Sequence, residues 1–202
     1  MKSLSTFLLA TLFIFLLNGC GIGAIASMMV TRGNHTMPAY TIDKENQAIL
    51  TQLVKEGYHI KLTPTLPQQE SNQTVHCRLM TSITPPQNQT YQHYLYHAFL
   101  KEFQTAHLYE EKSQKSITIT LQELKGSSLY GDASWFITIE INSNNGKKHH
   151  ITSIYKYDSS FRASSACKDM KKTFPLALQK LIHQTLIDPQ FKAFLEKKRE
   201  SH

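Results

Sequence analysis

Apolar positions recur along this chain in two periods. Ile49, Leu50, Leu53 and Val54 mark one side of a helix that runs to about Glu56, with Asp43 as its cap and Gly57 as its stop. Residues 63–74, with Pro64, Pro67 and a Gln/Ser/Asn run, read as a loop, and Val75 to Ile83 as a strand ended by Pro85-Pro86. Tyr91, Tyr94, Leu95, Ala98, Phe99, Phe103 and Ala106 return to helical spacing behind Thr90, a second capping residue. Ile117, Ile119 and Leu121 then alternate with threonines, and Trp135, Ile137, Ile139 and Ile141 alternate again. Asn144-Asn145-Gly146 predicts a type I′ hairpin turn into a return strand from Lys148 to Tyr157. Ala166, Cys167, Met170, Phe174, Ala177, Leu178, Leu181 and Leu186 form a long amphipathic helix that Pro175 should kink or restart. Asp188-Pro189 opens a last short helix with Phe191, Phe194 and Leu195. The order is strand, helix, three antiparallel strands, helix. Each later strand has one strongly apolar face, which predicts an α+β two-layer sandwich, a mainly antiparallel sheet with helices packed on one face.

One apolar run stands apart. Phe7 to Leu17 spans eleven residues behind Lys2. As a helix it would rise about 16 Å, roughly half of a ~30 Å hydrocarbon core, so it is too short for a membrane span and has the layout of a signal peptide. Leu17-Asn18-Gly19-Cys20 follows directly and resembles the lipobox of bacterial lipoproteins. Small Gly19 leaves the peptidase room at the scissile bond, and the Cys20 thiolate offers an attachment point for a diacylglycerol. The resemblance implies a signal peptide over residues 1–19, an acylated (palmitate-bearing) Cys20 as the first mature residue, a tether over 20–41 and a single periplasmic domain over 42–202. In such lipoproteins, Asp after the Cys retains the chain at the inner membrane. Gly21 stands there instead, which implies a lipid anchor in the outer membrane, facing the periplasm. The competing reading is an ordinary secretory signal that ends in Cys.

Three cysteines make an odd count for an oxidising compartment. With Cys20 acylated, Cys77 and Cys167 remain and can pair, closing a loop of about 90 residues worth up to ~4–5 kcal/mol in the chain-entropy model. The alternative is two reactive thiols, but neither sits in a CxxC or beside an obvious base.

Charge is partitioned. Residues 20–146 carry nine Lys/Arg against ten Asp/Glu, whereas residues 147–202 carry twelve against five. The excess lies in Lys147-Lys148, Arg162, Lys168, Lys171, Lys172 and the run Lys197 to Arg199. A basic face suits an anionic partner such as lipopolysaccharide phosphates, lipid headgroups or an acidic protein patch. An equally weighted alternative is a solvated helix face. Nucleic acid is excluded as a partner by the export signal.

No catalytic signature is present: there is no GxSxG, HExxH, Walker loop or dinucleotide fingerprint, and no cofactor is implied. His93 and His97 have the i, i+4 spacing that can grip one metal ion, but both fall opposite the apolar stripe with no acidic or thiol ligand nearby in sequence. His149 and His150 point to alternate faces of a strand. Neither pair predicts a metal site. Glu102 projects into the apolar stripe between Phe99 and Phe103, where a carboxylate needs a partner. Arg78 is the candidate, with a carboxylate reaching past the stripe to water as the alternative. Trp135, Tyr91, Tyr94, Tyr155 and Tyr157 read mainly as core, with an aromatic binding groove as the minor alternative.

From Cys77 to Leu195 the chain resembles small Gram-negative envelope lipoproteins of unassigned function. The pieces that carry this are Cys77, Tyr94 to Glu102, Trp135 to Ile141, Asn144-Asn145-Gly146, Tyr155-x-Tyr157-x-Ser159-Ser160-Phe161, Ala166-Cys167, Phe174-Pro175 and Pro189-x-Phe191. More loosely, the layout is similar to YajG-like lipoproteins and to auxiliary lipoproteins of lipid-handling ABC transporters. This implies a non-enzymatic accessory or binding subunit that docks on an envelope protein partner in an assembly or transport machine. The runner-up is a structural or ligand-binding lipoprotein whose basic face holds lipopolysaccharide or another anionic envelope polymer.

Overall fold

The computed structural model describes residues 36–65, 74–78 and 81–196. The signal peptide, Cys20 and most of the tether lie outside them, as do Lys197 to Arg199. Among the described residues, the chain forms α1 (Lys44–Lys55), β1 (Lys61–Thr63), β2 (Val75–Cys77), β3 (Thr81–Ile83), a 3₁₀ turn, α2 (Tyr91–Thr105), β4 (Ser116–Ser127), β5 (Ala133–Ser143), β6 (Lys148–Tyr157), α3 (Ala163–Ile187) and α4 (Phe191–Leu195). The architecture is α+β. A four-stranded sheet of order β1-β4-β5-β6 packs against helices, and β2-β3 forms a separate two-stranded sheet.

Both predicted caps operate. Asp43 accepts from the backbone N–H of Glu45 and Asn46, and the Thr90 hydroxyl accepts from that of His93. β5 alternates buried and half-buried residues along its whole length, with Trp135, Ile137, Ile139 and Ile141 facing the helices. Phe174 of α3 lies at the centre of the core. Its ring is 4.8 Å from Trp135, 5.4 Å from Tyr91 and 5.6 Å from Tyr94. Trp135, Tyr91 and Tyr94 belong to the core itself, while Tyr155 and Tyr157 are half-buried against it.

Four expectations change. The stretch Val75 to Ile83 is two strands: Arg78 at φ 50 ends β2, and β3 returns antiparallel with Cys77 opposite Thr81. Just before the segment read as loop, and overlapping it at Thr63, Lys61–Thr63 pairs parallel with Ser116–Thr118 and adds an edge strand too short for periodicity to mark. At the hairpin, Gly146 carries the positive φ (87) and neither asparagine does, so the turn is not type I′. The asparagine side chains cross-link instead: Asn144 Nδ2 donates to Gln114 O, and Asn145 Nδ2 to Ala193 O. Finally, α3 runs through Pro175. Phe174, Ala177, Leu178, Leu181 and Ile182 are all buried on the same side, and that packing outweighs one missing N–H.

Residues 36–41, placed by the sequence in the tether, lie against the folded body. Thr36 bridges Thr84, Met37 N–H donates to Thr84 O, and Met37 and Tyr40 are buried. Apolar side chains at 37 and 40 dock this lead-in on the body before α1 begins.

Gly126 of β4 has no room for a side chain. A Cβ there would collide with Met170 Cε and come within 2.8 Å of Trp135 Cζ3 and 2.9 Å of Val75 Cγ1. Gly126→Ala should therefore destabilise the domain by about 1–3 kcal/mol, read as a lowered thermal midpoint. An unchanged midpoint would show that β2, β5 and α3 do not converge there.

Candidate functional site

Glu102 is fully buried on α2, and none of the ion pairs among the described residues includes it. Its carboxylate accepts from the Tyr40 hydroxyl at 2.6 Å, from Asp43 N–H at 2.8 Å and from the Gln47 amide. Burial first, and then the bond to Glu102, hold the Tyr40 hydroxyl far above the ordinary tyrosine range, so it remains a donor. The expected Glu102–Arg78 pair is absent. Arg78 instead donates to Ser160 O at 3.0 Å. The carboxylate finds its donors in the lead-in and α1, which sequence spacing does not bring near it. Other α2 side chains reach the same lead-in: Tyr94 OH donates to Pro38 O and Lys101 Nζ to Tyr40 O. This cluster is a structural clamp.

The histidines form pairs without a third ligand. On the exposed side of α2, His93 and His97 Nε2 lie 2.8 Å apart, and burial together with the neighbouring His93 lowers the His97 pKa. No group of three potential metal ligands occurs among the described residues. His149 faces Asp188 at 3.2 Å, while His150 faces Glu140 at 3.0 Å.

The candidate cations do not make one surface. Lys147 and Lys148 stand at the start of β6, where Lys148 pairs with Glu140 at 3.0 Å and Lys147 approaches Glu196 at 3.9 Å. Arg162, Lys168, Lys171 and Lys172 follow the other end of the strand. Ten residues of β6 separate the groups by roughly 30 Å, well beyond a Debye length of about 8 Å. Within the second group, burial and then the charge of Lys168 lower the Lys171 pKa.

That second end is where the structure is most heavily braced. The Cys77–Cys167 disulfide joins β2 to the first turns of α3, with Cα atoms 5.6 Å apart. Ser128, buried in the β4–β5 connection, ties in around it. Its Oγ lies 3.4 Å from Cys77 Sγ and accepts from Arg78 N–H, while its carbonyl accepts from Ser159 Oγ at 2.9 Å. Tyr157 OH donates to Ser127 O, and Asp169 accepts from both the N–H and the hydroxyl of Ser160. Two loops, 128–132 and 158–162, are thus locked together. They present Leu129, Tyr130 and Phe161 outward, at 57%, 69% and 83% exposure. The Tyr130 and Phe161 rings meet edge to face at 6.1 Å. Behind Tyr130 lies an open recess of about 610 Å³, lined also by Asp132, Lys156 and Asp158.

Sequence reasoning did not mark this corner. Two signals were present: an apolar Leu129-Tyr130 pair inside a Gly/Ser/Asp-rich turn, and Phe161 between two strongly polar neighbours. A second open recess of about 610 Å³ sits at the opposite end, between Gly57, Glu110 to Lys115 and the Asn144-Asn145 turn.

No protein-family model matches the chain, and no curated protein matches its sequence. In structure it is similar to a DUF330 protein from Xanthomonas campestris, with a TM-score of 0.44 and 11% identity, covering 67% of this chain and 88% of that one.

The clamp can be tested by double-mutant cycles. Tyr40→Phe with Glu102→Gln should show a coupling of about 1–2 kcal/mol in chemical denaturation, whereas Arg78→Ala with Glu102→Gln should be additive to within ~0.5 kcal/mol. The reverse pattern would restore Arg78 as the partner.

Proposed function

We propose that this chain is an exported, lipid-anchored envelope protein, acylated at Cys20, whose folded domain is a non-catalytic docking subunit for an envelope assembly or transport system. The observation that carries the reading is the pairing of Cys77 with Cys167. It uses two of three cysteines across 90 residues of chain and leaves as the third the one that ends the apolar Phe7–Leu17 run. A disulfide that joins two layers of the fold suits an oxidising compartment, and a Cys at the end of a short apolar segment suits acylation. The assignment to the periplasmic face of the outer membrane rests on Gly21. The partner is an envelope protein, engaged by the rigid surfaces the sandwich presents.

A second reading, capture of lipopolysaccharide or another anionic polymer, draws on Lys168 and Lys171. Both stand on the first turns of α3, three residues apart on the helix. With Lys147 and Lys148 committed to carboxylates at the far end, that reading is confined to the α3 end.

The anchor is tested in the producing bacterium. Wild-type protein should take up a labelled fatty acid and fractionate with membranes, and Cys20→Ala should abolish labelling and leave uncleaved precursor. If Cys20→Ala still matures to the same size and fractionates as wild type, the lipoprotein reading is wrong.

A further inference from the structure

We infer that the Leu129–Tyr130–Phe161 corner rests on the phospholipid leaflet, so that the domain touches the membrane at this corner with a fixed orientation. This rests on the lipid-anchored reading above.

Three observations converge. The first is exposure without disorder. Leu129, Tyr130 and Phe161 are more than half exposed and sit on two loops bonded to each other, whereas among the described residues the other exposed large apolar side chains, Ile42, Ile154, Leu176 and Ile187, come singly from the chain before α1, from β6 and from α3. Isolated exposed apolar side chains need no explanation, but a cluster at one corner does. The backbone beneath is held by the disulfide, by Ser128 and by the Ser160–Asp169 bonds, so no floppy loop accounts for it.

The second is chemistry. An aliphatic tip, a tyrosine whose hydroxyl can stay in water and a phenylalanine form the mixture that settles at a headgroup boundary. Cations flank it: Arg162 follows Phe161, the Arg78 guanidinium lies on Ser160 O and near Phe161 O, and Lys168 is one helical turn into α3. Carboxylates are present too: Asp132 and Asp158 line the recess at Tyr130 together with Lys156, and Asp169 is taken up by the N–H and hydroxyl of Ser160. A partly basic border around apolar tips complements an anionic leaflet.

The third is where the chain enters. Thr36 bridges Thr84, directly after β3, and β3 pairs its Thr81 with Cys77 of the disulfide. From Thr84 to Thr81 is three strand residues, about 10 Å. The entry point therefore lies on the same end of the molecule as the corner. Thr36 stands sixteen positions after Cys20. Sixteen residues of chain reach at most about 55 Å, so an anchor at Cys20 leaves this end within reach of the leaflet that holds it.

The test uses full-length chain, matured in bacterial membranes, purified in detergent and reconstituted into vesicles. The vesicles contain phosphatidylcholine brominated on its acyl chains and an anionic phosphatidylglycerol fraction. Trp135 is fully buried and serves as an internal reference. Phe161→Trp adds an indole at the tip, and Tyr130→Trp is an independent second reporter. Brominated lipid should quench the fluorescence added by either substitution by about half or more, the depth of an interfacial side chain, while wild type changes little. Intact mass of the same preparation reports acylation separately. Acylated protein whose added indoles are unquenched overturns the leaflet contact and leaves the anchor standing, including where a co-purifying protein covers the corner. Quenching without acylation upholds the corner and refutes the anchor. Neither acylation nor quenching overturns both.

Discussion

A carboxylate buried without a counter-ion sets the terms for the amino-terminal half of this fold. Desolvation of Glu102 is tolerable only if its oxygens are filled, and the donors that fill them come from Tyr40, Asp43 and Gln47, some sixty residues back along the chain. The lead-in and α1 are therefore fixed to the middle of α2. Ten residues earlier on the same helix, Gln92 plays the complementary part. It donates to Ile119 O and accepts from Leu121 N–H at 2.6 Å, satisfying backbone where β4 has left β1 behind and shifts register against β5. One helix thus answers the polar demands of both the entering chain and an open sheet edge. Each buried group left unpaired would cost of the order of 1–3 kcal/mol.

The larger pattern of the fold was legible because long periodic segments leave little choice. α2, β5, β6 and α3 bury one face each, and their residues say so. Asp43 and Thr90 marked helix starts because a short oxygen-bearing side chain before an apolar run has a definite use there. What sequence could not supply was anything decided by long-range packing. β1 is three residues long and is a strand only because β4 lies beside it. The sequence raises a partner for buried Glu102 and offers Arg78 or water, yet its donors are Tyr40, Asp43 and Gln47, since spacing along a helix says nothing about which segment crosses it. Counting cations along the chain left open whether they meet in space, and β6 stands between the two groups.

The disulfide organises the opposite end. It joins β2, at the edge of the small sheet, to the start of α3, and Ser128 draws the β4–β5 connection into the same knot. The consequence is a rigid corner that carries exposed apolar side chains close to the point where the chain enters the body. Under the anchoring proposed above, a rigid corner would let the anchor set orientation as well as location, and the far end, with the paired Lys147 and Lys148 and the recess beside the Asn144-Asn145 turn, would face away from the leaflet.

The central claim is that export, acylation of Cys20 and pairing of the other two cysteines belong to one maturation. The most direct measurement is the intact mass of the protein extracted from bacterial membranes without reductant, repeated after reduction. The account predicts a chain lacking residues 1–19, heavier than the bare polypeptide by a diacylglycerol and an acyl chain, and gaining two hydrogens when reduced. A chain that retains its first nineteen residues, carries no lipid and gains nothing on reduction would contradict it.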